Sequence, residues 1–432
     1  MGNNEYYEAV IKLILLLDKN TMKAKRLDGQ RWYEIDDIQD LDIAQTLFIE
    51  NDVEKYQYLM KRYGGYWRFP HLHDYCYLVN PYFPTKRMQE EMESNYGILI
   101  DQYPSGMSVN CLLAAKCFDI HQEHIVLGNG AAELIKSLLE QLDGKLGIIR
   151  PTFEEYPNRW EKDCVVYDCT KNDFSYSAKQ IISFFSKNPI STLVLINPDN
   201  PTGHFLDKIE INNILEWCKE KDINLILDES FLDFADDEHI SMLSERVLCE
   251  NSNLYVVKSI SKCYGVPGLR LGILASGNVD MIKVLKQTVP IWNINSLAEF
   301  FMQILDKYKN DYKNSLVKLR LERIRFFKKL CQIEGLKVYP SQANYFMCEL
   351  LEKNSLEVAG ALLEDNILIK DLTSKIHNGK QYIRLAIRTE EENNMLAKKL
   401  KNILQFKYEI IGKFWFIFIM DRKINYEIFN IR

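Results

Sequence analysis

One lysine in this sequence lies among residues that could together bind an aldehyde carrying a phosphate. Lys262 stands in the run Ser259-Ile-Ser-Lys-Cys-Tyr-Gly-Val-Pro-Gly-Leu-Arg270, between small hydroxyls and a glycine-containing turn. A lysine amine forms a Schiff base with a carbonyl compound, and hydroxyl and guanidinium groups bind a phosphate dianion. Pyridoxal 5′-phosphate (PLP) carries both an aldehyde and a phosphate. The run therefore predicts a PLP site anchored at Lys262. The alternative is a solvated lysine in an ordinary turn.

The run from Ser259 to Gly272 resembles the lysine signature of the class I/II aminotransferases, which are fold-type I PLP enzymes. The resemblance implies that Lys262 carries the cofactor and that Ser259 and Arg270 bind its phosphate. It extends over roughly residues 67–404, within the histidinol-phosphate aminotransferase and threonine-phosphate decarboxylase branch.

Two further motifs follow apolar segments that read as buried strands. Asn197-Pro-Asp-Asn-Pro-Thr-Gly203 places Asn200 in an extended loop, because residues before proline avoid the helical region. The loop resembles the family's Asn-Pro-Thr-Gly loop, which implies that Asn200 donates to the 3′ oxygen of the cofactor. Asp228 follows the apolar segment 225–227, where a carboxylate needs a cationic partner. The resemblance implies that this partner is the protonated pyridine nitrogen of the cofactor. Phe231 stands where the family usually has a tyrosine that also contacts the 3′ oxygen.

Other candidates depend more on the resemblance than on their own pattern. Gly130 and Ala131 lie where an apolar segment passes into a helical one, and the amino terminus of a helix binds phosphate readily. By resemblance, Phe153 stacks on the pyridine ring. The segment 101–106 also resembles the family, which implies that Tyr103 reaches the cofactor phosphate of a second subunit and that the protein is a homodimer. Ordinary turn, core and surface roles remain the alternatives.

Substrate contacts are expected from two arginines and one tyrosine. Arg384 and Arg388 are four residues apart in an apolar segment, so a strand through both would place them on one face. The resemblance implies that Arg384 holds the substrate carboxylate in a bidentate fork. Tyr82 lies in a segment that resembles the arm lining the substrate pocket. Exposed strand charges are the alternative for both arginines.

The elements that must position these residues read as an α/β fold. From about residue 87 to 275, helical segments alternate with short, wholly apolar runs, which indicates a mostly parallel sheet between helices. We predict a fold-type I PLP-transferase fold with a smaller α+β domain at the carboxyl side. The predicted parts are an arm at 61–86, a large PLP-binding domain at 87–295, and a linking helix with the small domain at 296–405.

The two ends of the chain are less informative. Residues 31–44 resemble the carboxyl-terminal end of nucleotidyltransferases that activate sugars or choline phosphate. We interpret residues 1–60 as a remnant of such a domain, with an ordinary acidic surface segment as the alternative, and assign it no activity. The pattern gives no role to the tail at 406–432.

Composition bounds the remaining possibilities. The hydrophobic fraction of 47% and charged fraction of 26% are typical of a globular protein. A net charge of −6 gives no basic field for nucleic acid. The ten cysteines show no C-x-x-C pair and no zinc spacing, so we expect reduced thiols and no metal site. We expect a cytoplasmic protein that acts on a small molecule and not at a membrane.

The sequence leaves two reactions open. The bond to the α-carbon that lies perpendicular to the cofactor ring is the one that breaks, and the sequence does not fix that pose. We expect a transaminase of a small, phosphorylated amino compound, because transamination is the commoner reaction with this lysine signature. The alternative is a decarboxylase of a phosphorylated amino acid such as threonine phosphate or serine phosphate.

Overall fold

The computed structural model describes residues 7–17, 25, 32–69, 71–237 and 241–405. The chain divides into two compact units, residues 1–51 and 52–432. The first unit contains helices α1 (Tyr7–Leu16) and α2 (Ile38–Leu47). Asp37 caps α2 by accepting hydrogen bonds from the backbone amides of Gln39 and Asp40. The tail at 406–432 lies outside the described residues.

The second unit contains a large sheet, a small sheet and the helices around them. Its helices are α3 (Asp52–Lys61), α4 (Lys86–Asp101), α5 (Met107–Phe118), α6 (Ala131–Leu139), α7 (Glu155–Asn158), α8 (Ala178–Lys187), α9 (Lys208–Glu220), α10 (Glu245–Glu250), α11 (Ile260–Cys263), α12 (Val279–Thr288), α13 (Ser296–Ile304), α14 (Lys309–Leu330), α15 (Ser355–Glu364) and α16 (Glu390–Gln405). Its strands are β1 (His73–Asp74), β2 (Ile125–Asn129), β3 (Leu146–Arg150), β4 (Cys164–Asp168), β5 (Thr192–Ile196), β6 (Asn224–Asp228), β7 (Leu254–Ser259), β8 (Leu271–Ser276), β9 (Leu336–Val338), β10 (Tyr345–Leu350), β11 (Ile367–Leu368), β12 (Lys370–Asp371) and β13 (Gln381–Ala386).

The seven-stranded sheet has the order β2-β8-β7-β6-β5-β3-β4. Neighbours in the run β7-β6-β5-β3-β4 are parallel, and β8 is antiparallel to both β2 and β7. Strands β5 and β8 are buried along their whole length, as wholly apolar runs in a covered sheet should be. The predicted α/β fold with a mostly parallel sheet is therefore confirmed.

A core of buried apolar side chains joins this sheet to helices α6 and α12. Leu134 and Leu138 of α6 and Ile282 of α12 are fully buried in the same cluster as Val126 and Leu274 of the sheet. Burying one such side chain stabilises the fold by about 1.5–3 kcal/mol. This core fixes the sheet whose strand ends carry the candidate site.

The small sheet has the order β12-β13-β10-β9, and all its neighbouring strands are antiparallel. It follows α14, the long basic helix that the sequence predicts. The predicted helical stretch after Asn295 is interrupted, however, because a 3-10 turn at Leu305–Tyr308 separates α13 from α14. Among the described residues, no helix is long and apolar enough to cross a membrane.

The segment between α3 and α4, which we call the arm, contacts the small sheet and the turn that carries Lys262. Strand β1 pairs in parallel with β11, and the carbonyl of Tyr75 accepts a hydrogen bond from the amide of Ala386 at 3.1 Å. Further along the arm, the amide of Asn80 donates to the carbonyl of Lys262 at 2.9 Å, and its side-chain Nδ2 donates to the carbonyl of Cys263 at 3.0 Å. The arm therefore holds the turn that carries the lysine.

Gly265 is required where the arm meets this turn. Its φ is +63°, and a Cβ at this position would lie 1.8 Å from the carbonyl oxygen of Phe83. We expect Gly265→Ala to lower the free energy of unfolding by about 1–3 kcal/mol, because it adds both backbone strain and a clash with main-chain atoms. Thermal unfolding monitored by circular dichroism measures this. Gly268→Ala, three residues on and with nothing within 4 Å of its Cβ, should change stability by less than about 0.5 kcal/mol. Equal effects of the two variants would contradict the prediction.

Candidate active site

Three neighbouring strands of the large sheet bring the predicted residues to one edge. Ile196, the last residue of β5, is paired with Asp228, the last of β6, and Asp228 is paired in turn with Val257 near the end of β7. In open α/β sheets, ligands bind at the carboxyl ends of the strands. The Asn200 loop, Asp228 and the lysine turn all start from this edge.

Lys262 lies on α11, a one-turn helix directly after β7, and its ammonium lies between two aromatic rings. Nζ is 4.2 Å from the ring centroid of Phe231 and 5.2 Å from that of Phe153. Burial lowers the pKa of Lys262, the positive charges of Arg384 and Arg270 lower it further, and the carboxylate of Asp228 opposes the change. A lowered pKa increases the fraction of neutral amine, which is the nucleophilic form.

Asp228 is buried and has two hydrogen-bond donors within the protein. The hydroxyl of Tyr156 donates to its Oδ2 at 2.9 Å, and the amide of Ser230 donates to its Oδ1 at 2.9 Å. These two hydrogen bonds fix the orientation of the carboxylate. Asp228 is therefore a buried side chain of fixed orientation that lies close enough to raise the pKa of Lys262.

Arg270, Gly130 and the start of α6 form a cradle at the other side of the lysine turn. A Cβ on Gly130 would lie 2.6 Å from Nη2 of Arg270, and a Cβ on Gly272 would lie 2.3 Å from the amide nitrogen of Ala131. The close approach places a guanidinium beside the amino terminus of a helix, a combination suited to phosphate. Arg270 has the left-handed φ of +57° that this arrangement uses.

The two serines before the lysine have different environments. The hydroxyl of Ser261 accepts a hydrogen bond from the amide of Leu271 at 3.0 Å and lies 3.3 Å from its carbonyl, so it closes the turn. Ser259 is buried at the end of β7, and its amide donates to Ser230 Oγ at 2.9 Å. Its hydroxyl, unlike that of Ser261, is not used to close this turn.

Asn200 and Arg384 are in contact, although they are far apart in the sequence. We call the region around Lys262, Asp228, Asn200 and Arg384 the cleft. Nη1 of Arg384 donates to Oδ1 of Asn200 at 2.7 Å, and Nη2 donates to the carbonyl of Cys76 at 2.9 Å. Its buried Nε has no hydrogen-bond partner. Burial lowers the pKa of Arg384, and a guanidinium with an unpaired buried donor is suited to bind an anion.

Arg388 does not share a strand face with Arg384. Strand β13 ends at Ala386, so the argument from strand periodicity does not reach Arg388. Its Nε donates to Glu392 at 2.8 Å and its Nη1 to the carbonyl of Asp74 at 3.0 Å. The sequence-based expectation that the two arginines lie on one strand face was wrong, and Arg388 is engaged in contacts within the protein.

The two candidate tyrosines lie in different surroundings. Tyr82 is half-buried on the arm, where burial and the charges of Glu322, Glu390 and Glu392 raise its pKa to about 12. Tyr103 is 79% exposed and stacks on Trp292 with ring centroids 4.4 Å apart.

Sequence reasoning missed several residues of the cleft. Tyr156 is fully buried against Asp228, and the only signal was a tyrosine three residues after Phe153. Lys370 and Lys375 lie in segments where the pattern gave no reason to select either lysine. All three are identified by tertiary contacts and not by motif spacing.

Another cluster lies outside the cleft. Donor atoms of His124, Glu245 and Cys249 lie within 4.8 Å of one another, although no zinc-type spacing joins them in the sequence. Glu245 already accepts from the amide of His121 at 2.8 Å and contacts His124 Nδ1 at 3.0 Å. We interpret this cluster as a set of contacts that join the start of α10 to the segment just before β2.

The hydroxyl of Tyr156 offers a direct test of the Asp228 geometry. We expect Tyr156→Phe to lower kcat by about tenfold to a hundredfold, because a charge-assisted hydrogen bond contributes about 1.5–3 kcal/mol. Steady-state kinetics together with the dissociation constant of the cofactor measure the effect. Tyr255→Phe is the matched control, since Tyr255 is equally buried but its hydroxyl contacts Asn278. Equal losses in both variants would show that Tyr156 acts only by packing.

Comparisons with known proteins agree with this geometry. The model of the family described as aminotransferase class I and II matches residues 83–400. The L-serine phosphate decarboxylase of Sulfurospirillum multivorans is 34% identical over 77% of this chain and 88% of that protein. A solved structure of a decarboxylase from the same organism has a TM-score of 0.71 at 32% identity, over 79% of this chain and 91% of that one.

A third relative extends the similarity along the chain. The CMP-5′-(3-aminopropyl)phosphonate synthase of Streptomyces rubellomurinus is 29% identical over 94% of this chain. This chain spans 64% of the length of that protein.

Proposed function

Because this chain belongs to the aminotransferase class I and II family, we propose that it is a PLP-dependent decarboxylase of a small phosphorylated amino acid, with L-serine phosphate as the leading substrate. The observation that carries the proposal is the 34% identity to an L-serine phosphate decarboxylase over 77% of the chain. The comparisons thus favour the reaction that the sequence analysis treated as the alternative. Transamination, the first choice there, has the weaker support.

The residues of the cleft fit PLP. The Gly130 cradle leaves no room for a side chain beside Arg270, which suits a phosphate, and the Lys262 amine lies between the rings of Phe153 and Phe231. When bound, PLP supplies an aldehyde for the amine of the substrate and a ring that accepts the electron pair of the broken bond. Lys262 would hold the aldehyde, Gly130, Ala131, Ser259 and Arg270 the phosphate, Asn200 the 3′ oxygen, and Asp228 the pyridine nitrogen.

Each polar residue of the cleft then has a defined role. Asp228, oriented by hydrogen bonds from Tyr156 and Ser230, would accept a hydrogen bond from the pyridine nitrogen. Lys262 Nζ, whose pKa is lowered by burial, delivers a proton to the α-carbon after the bond to the carboxylate breaks. Arg384, with its unpaired Nε, anchors an anionic group of the substrate.

The proposal includes a homodimer in which Tyr103 of one subunit reaches the cofactor phosphate of the other. The exposure of Tyr103 and its stacking on Trp292 support this arrangement. We also propose that the protein acts in the cytoplasm.

A phosphonate is the second candidate substrate class. The similarity to the phosphonate synthase covers 94% of the chain and so extends well before residue 83, where the family match begins. A phosphonate and a phosphate monoester present similar dianions, so both belong in the assay.

The experiment is to mix the PLP-loaded protein with O-phospho-L-serine and to measure release of CO₂. Decarboxylation predicts CO₂ and the corresponding amine in equal amounts, with the cofactor unchanged after each turnover. Transamination predicts no CO₂ and conversion of the cofactor to its amine form, reversed by a keto acid. The second result would refute the proposal.

A further inference from the structure

The contacts of His124, Glu245 and Cys249 bring three metal-binding groups together outside the cleft. An imidazole nitrogen, a carboxylate oxygen and a thiol sulfur lie within 4.8 Å of one another. Oε1 of Glu245 is central, because it lies 3.0 Å from Nδ1 of His124 and 3.3 Å from Sγ of Cys249. Donor atoms around a tetrahedral zinc ion lie about 3.2–3.7 Å apart, given metal–ligand distances of about 2.0–2.3 Å. Small rotations of these side chains would therefore place all three donors around one ion.

The imidazole of His124 is the least satisfied member of this cluster. His124 is only 6% exposed. Among the residues that the structure describes, its Nδ1 forms no well-aligned hydrogen bond, although Oε1 of Glu245 is close. A buried polar atom without a hydrogen bond destabilises the fold. A metal ion bound between the two side chains would use the lone pair of Nδ1 and remove that cost.

Two segments of backbone hold these groups in place. His124 directly precedes β2, while Glu245 and Cys249 are four residues apart in α10 and so lie on one side of that helix. Oε2 of Glu245 accepts a hydrogen bond from the amide of His121 at 2.8 Å, which leaves Oε1 beside His124 and Cys249. Cysteine spacing could not indicate this cluster, because its members come from two distant parts of the sequence.

The charge around the cluster favours a cation. The carboxylates that act on the thiol of Cys249 belong to Glu245, Glu123 and Glu250. Two basic side chains lie on or beside the same segments. Lys286 donates to the carbonyl of Gln122 at 2.7 Å, and Arg246 is exposed. Carboxylates thus outnumber basic groups around the thiol, and their excess attracts a positive ion.

We propose that His124, Glu245 and Cys249 bind a zinc ion, with water as the fourth ligand. Thiolate, imidazole and carboxylate are the ligands that zinc takes in proteins, whereas Mg²⁺ and Ca²⁺ require oxygen ligands. The thiol of Cys249 donates a hydrogen bond to Glu245. On binding, the thiol loses its proton to solvent and the sulfur forms a bond to the ion.

The position of the site indicates a structural role and not a catalytic one. Strand β2 begins directly after His124 and ends at Asn129, next to Gly130 of the cradle. The five residues of this strand span about 17 Å, so the ion lies far from the cradle. It would join α10 to the start of β2 and so stabilise the strand that leads to the cradle. The inference does not depend on which reaction the protein catalyses.

The test titrates Zn²⁺ into the PLP-loaded, untagged, full-length protein after its thiols are reduced and bound metal is removed by dialysis against a chelator. Competition with a chromophoric chelator measures the affinity. We expect one ion per chain with a Kd of about 10⁻⁶ M or below, weaker than structural zinc sites with four protein ligands. Zinc should also raise Tm, because it binds the folded state. In a parallel titration, Co²⁺ should show the visible absorption of tetrahedral coordination with a thiolate ligand.

Variants with matched controls identify the ligands. Cys249→Ser should weaken zinc binding by about 100-fold or more, because loss of even a residue that orients a ligand costs about 10–100-fold, and should abolish the thiolate–cobalt absorption. Cys331→Ser, at another exposed cysteine, should leave both unchanged. Glu245→Gln should weaken binding by about tenfold or more, while Glu220→Gln, at an exposed position in α9, should not.

Two results would overturn the inference. One is zinc binding by the wild type that is weaker than about 10⁻³ M. The other is equal affinity in the wild type and in a Cys249→Ser variant whose circular dichroism is unchanged. Release of CO₂ from O-phospho-L-serine is measured on the same samples. If zinc binds through Cys249 but no CO₂ is released, the metal site stands and the proposed reaction fails.

Discussion

Lys262→Ala is expected to abolish both the visible absorbance of the bound cofactor and turnover. The amine that holds the aldehyde and the group that moves the proton are one and the same, so the variant loses covalent anchoring and proton transfer together. Proton transfer alone contributes about 10²–10⁴-fold to the rate, so the combined loss should exceed about 10³-fold. Absorbance spectra and single-turnover assays on purified protein measure both effects.

A lysine elsewhere on the surface provides the control for Lys262. Lys187→Ala, an exposed position in α8, should retain both the absorbance and the rate. A Lys262→Ala variant that keeps wild-type absorbance and turnover would refute the assignment of Lys262 and the proposed function together.

Asp228→Asn should produce the second largest loss. The substitution preserves size but removes the buried charge that stabilises a protonated pyridine nitrogen. It also leaves two donors, from Tyr156 and Ser230, facing a side chain that is no longer an anion. We expect kcat to fall by about 10²–10³-fold, the range for losing one preorganised electrostatic stabiliser, and the cofactor to bind more weakly.

The control for Asp228 lies near the other end of the same strand. Asp222 is an exposed residue two positions before β6, with φ at +55°, a conformation that asparagine also adopts readily. Asp222→Asn should therefore leave rate and cofactor affinity unchanged. If Asp228→Asn behaved like this control, the buried carboxylate would have no part in the reaction.

The large sheet could be predicted because its strands are short, mostly apolar runs between helical segments. Runs such as Thr192–Ile196 allow few other interpretations in a chain of this length. The direction of β8 could not be predicted, because an apolar run has no polarity and the turn after Lys262 determines which way the chain returns. The same holds for the 3-10 turn that separates α13 from α14, which no glycine or proline marks.

The candidate site was predictable where a residue lies within a local motif. Asn200 and Lys262 lie just after strands of the large sheet, Asp228 is the last residue of β6, and Arg270 directly precedes β8. Arg388 could not be judged from spacing, because the argument assumed a strand that ends two residues earlier. Lys370 lies opposite Arg384 on the paired strand, a position that the spacing of the two residues in the sequence does not show.

The arm that precedes α4 has a consequence for how the cleft can open. Within a few residues it accepts hydrogen bonds from Ala386 and Arg384 of the small sheet and donates to the backbone of Lys262 and Cys263. Any rotation of the small sheet away from the large one must therefore stretch or break contacts with this arm. Entry of a substrate and the exact placement of the reactive amine are mechanically linked through a single short stretch of backbone.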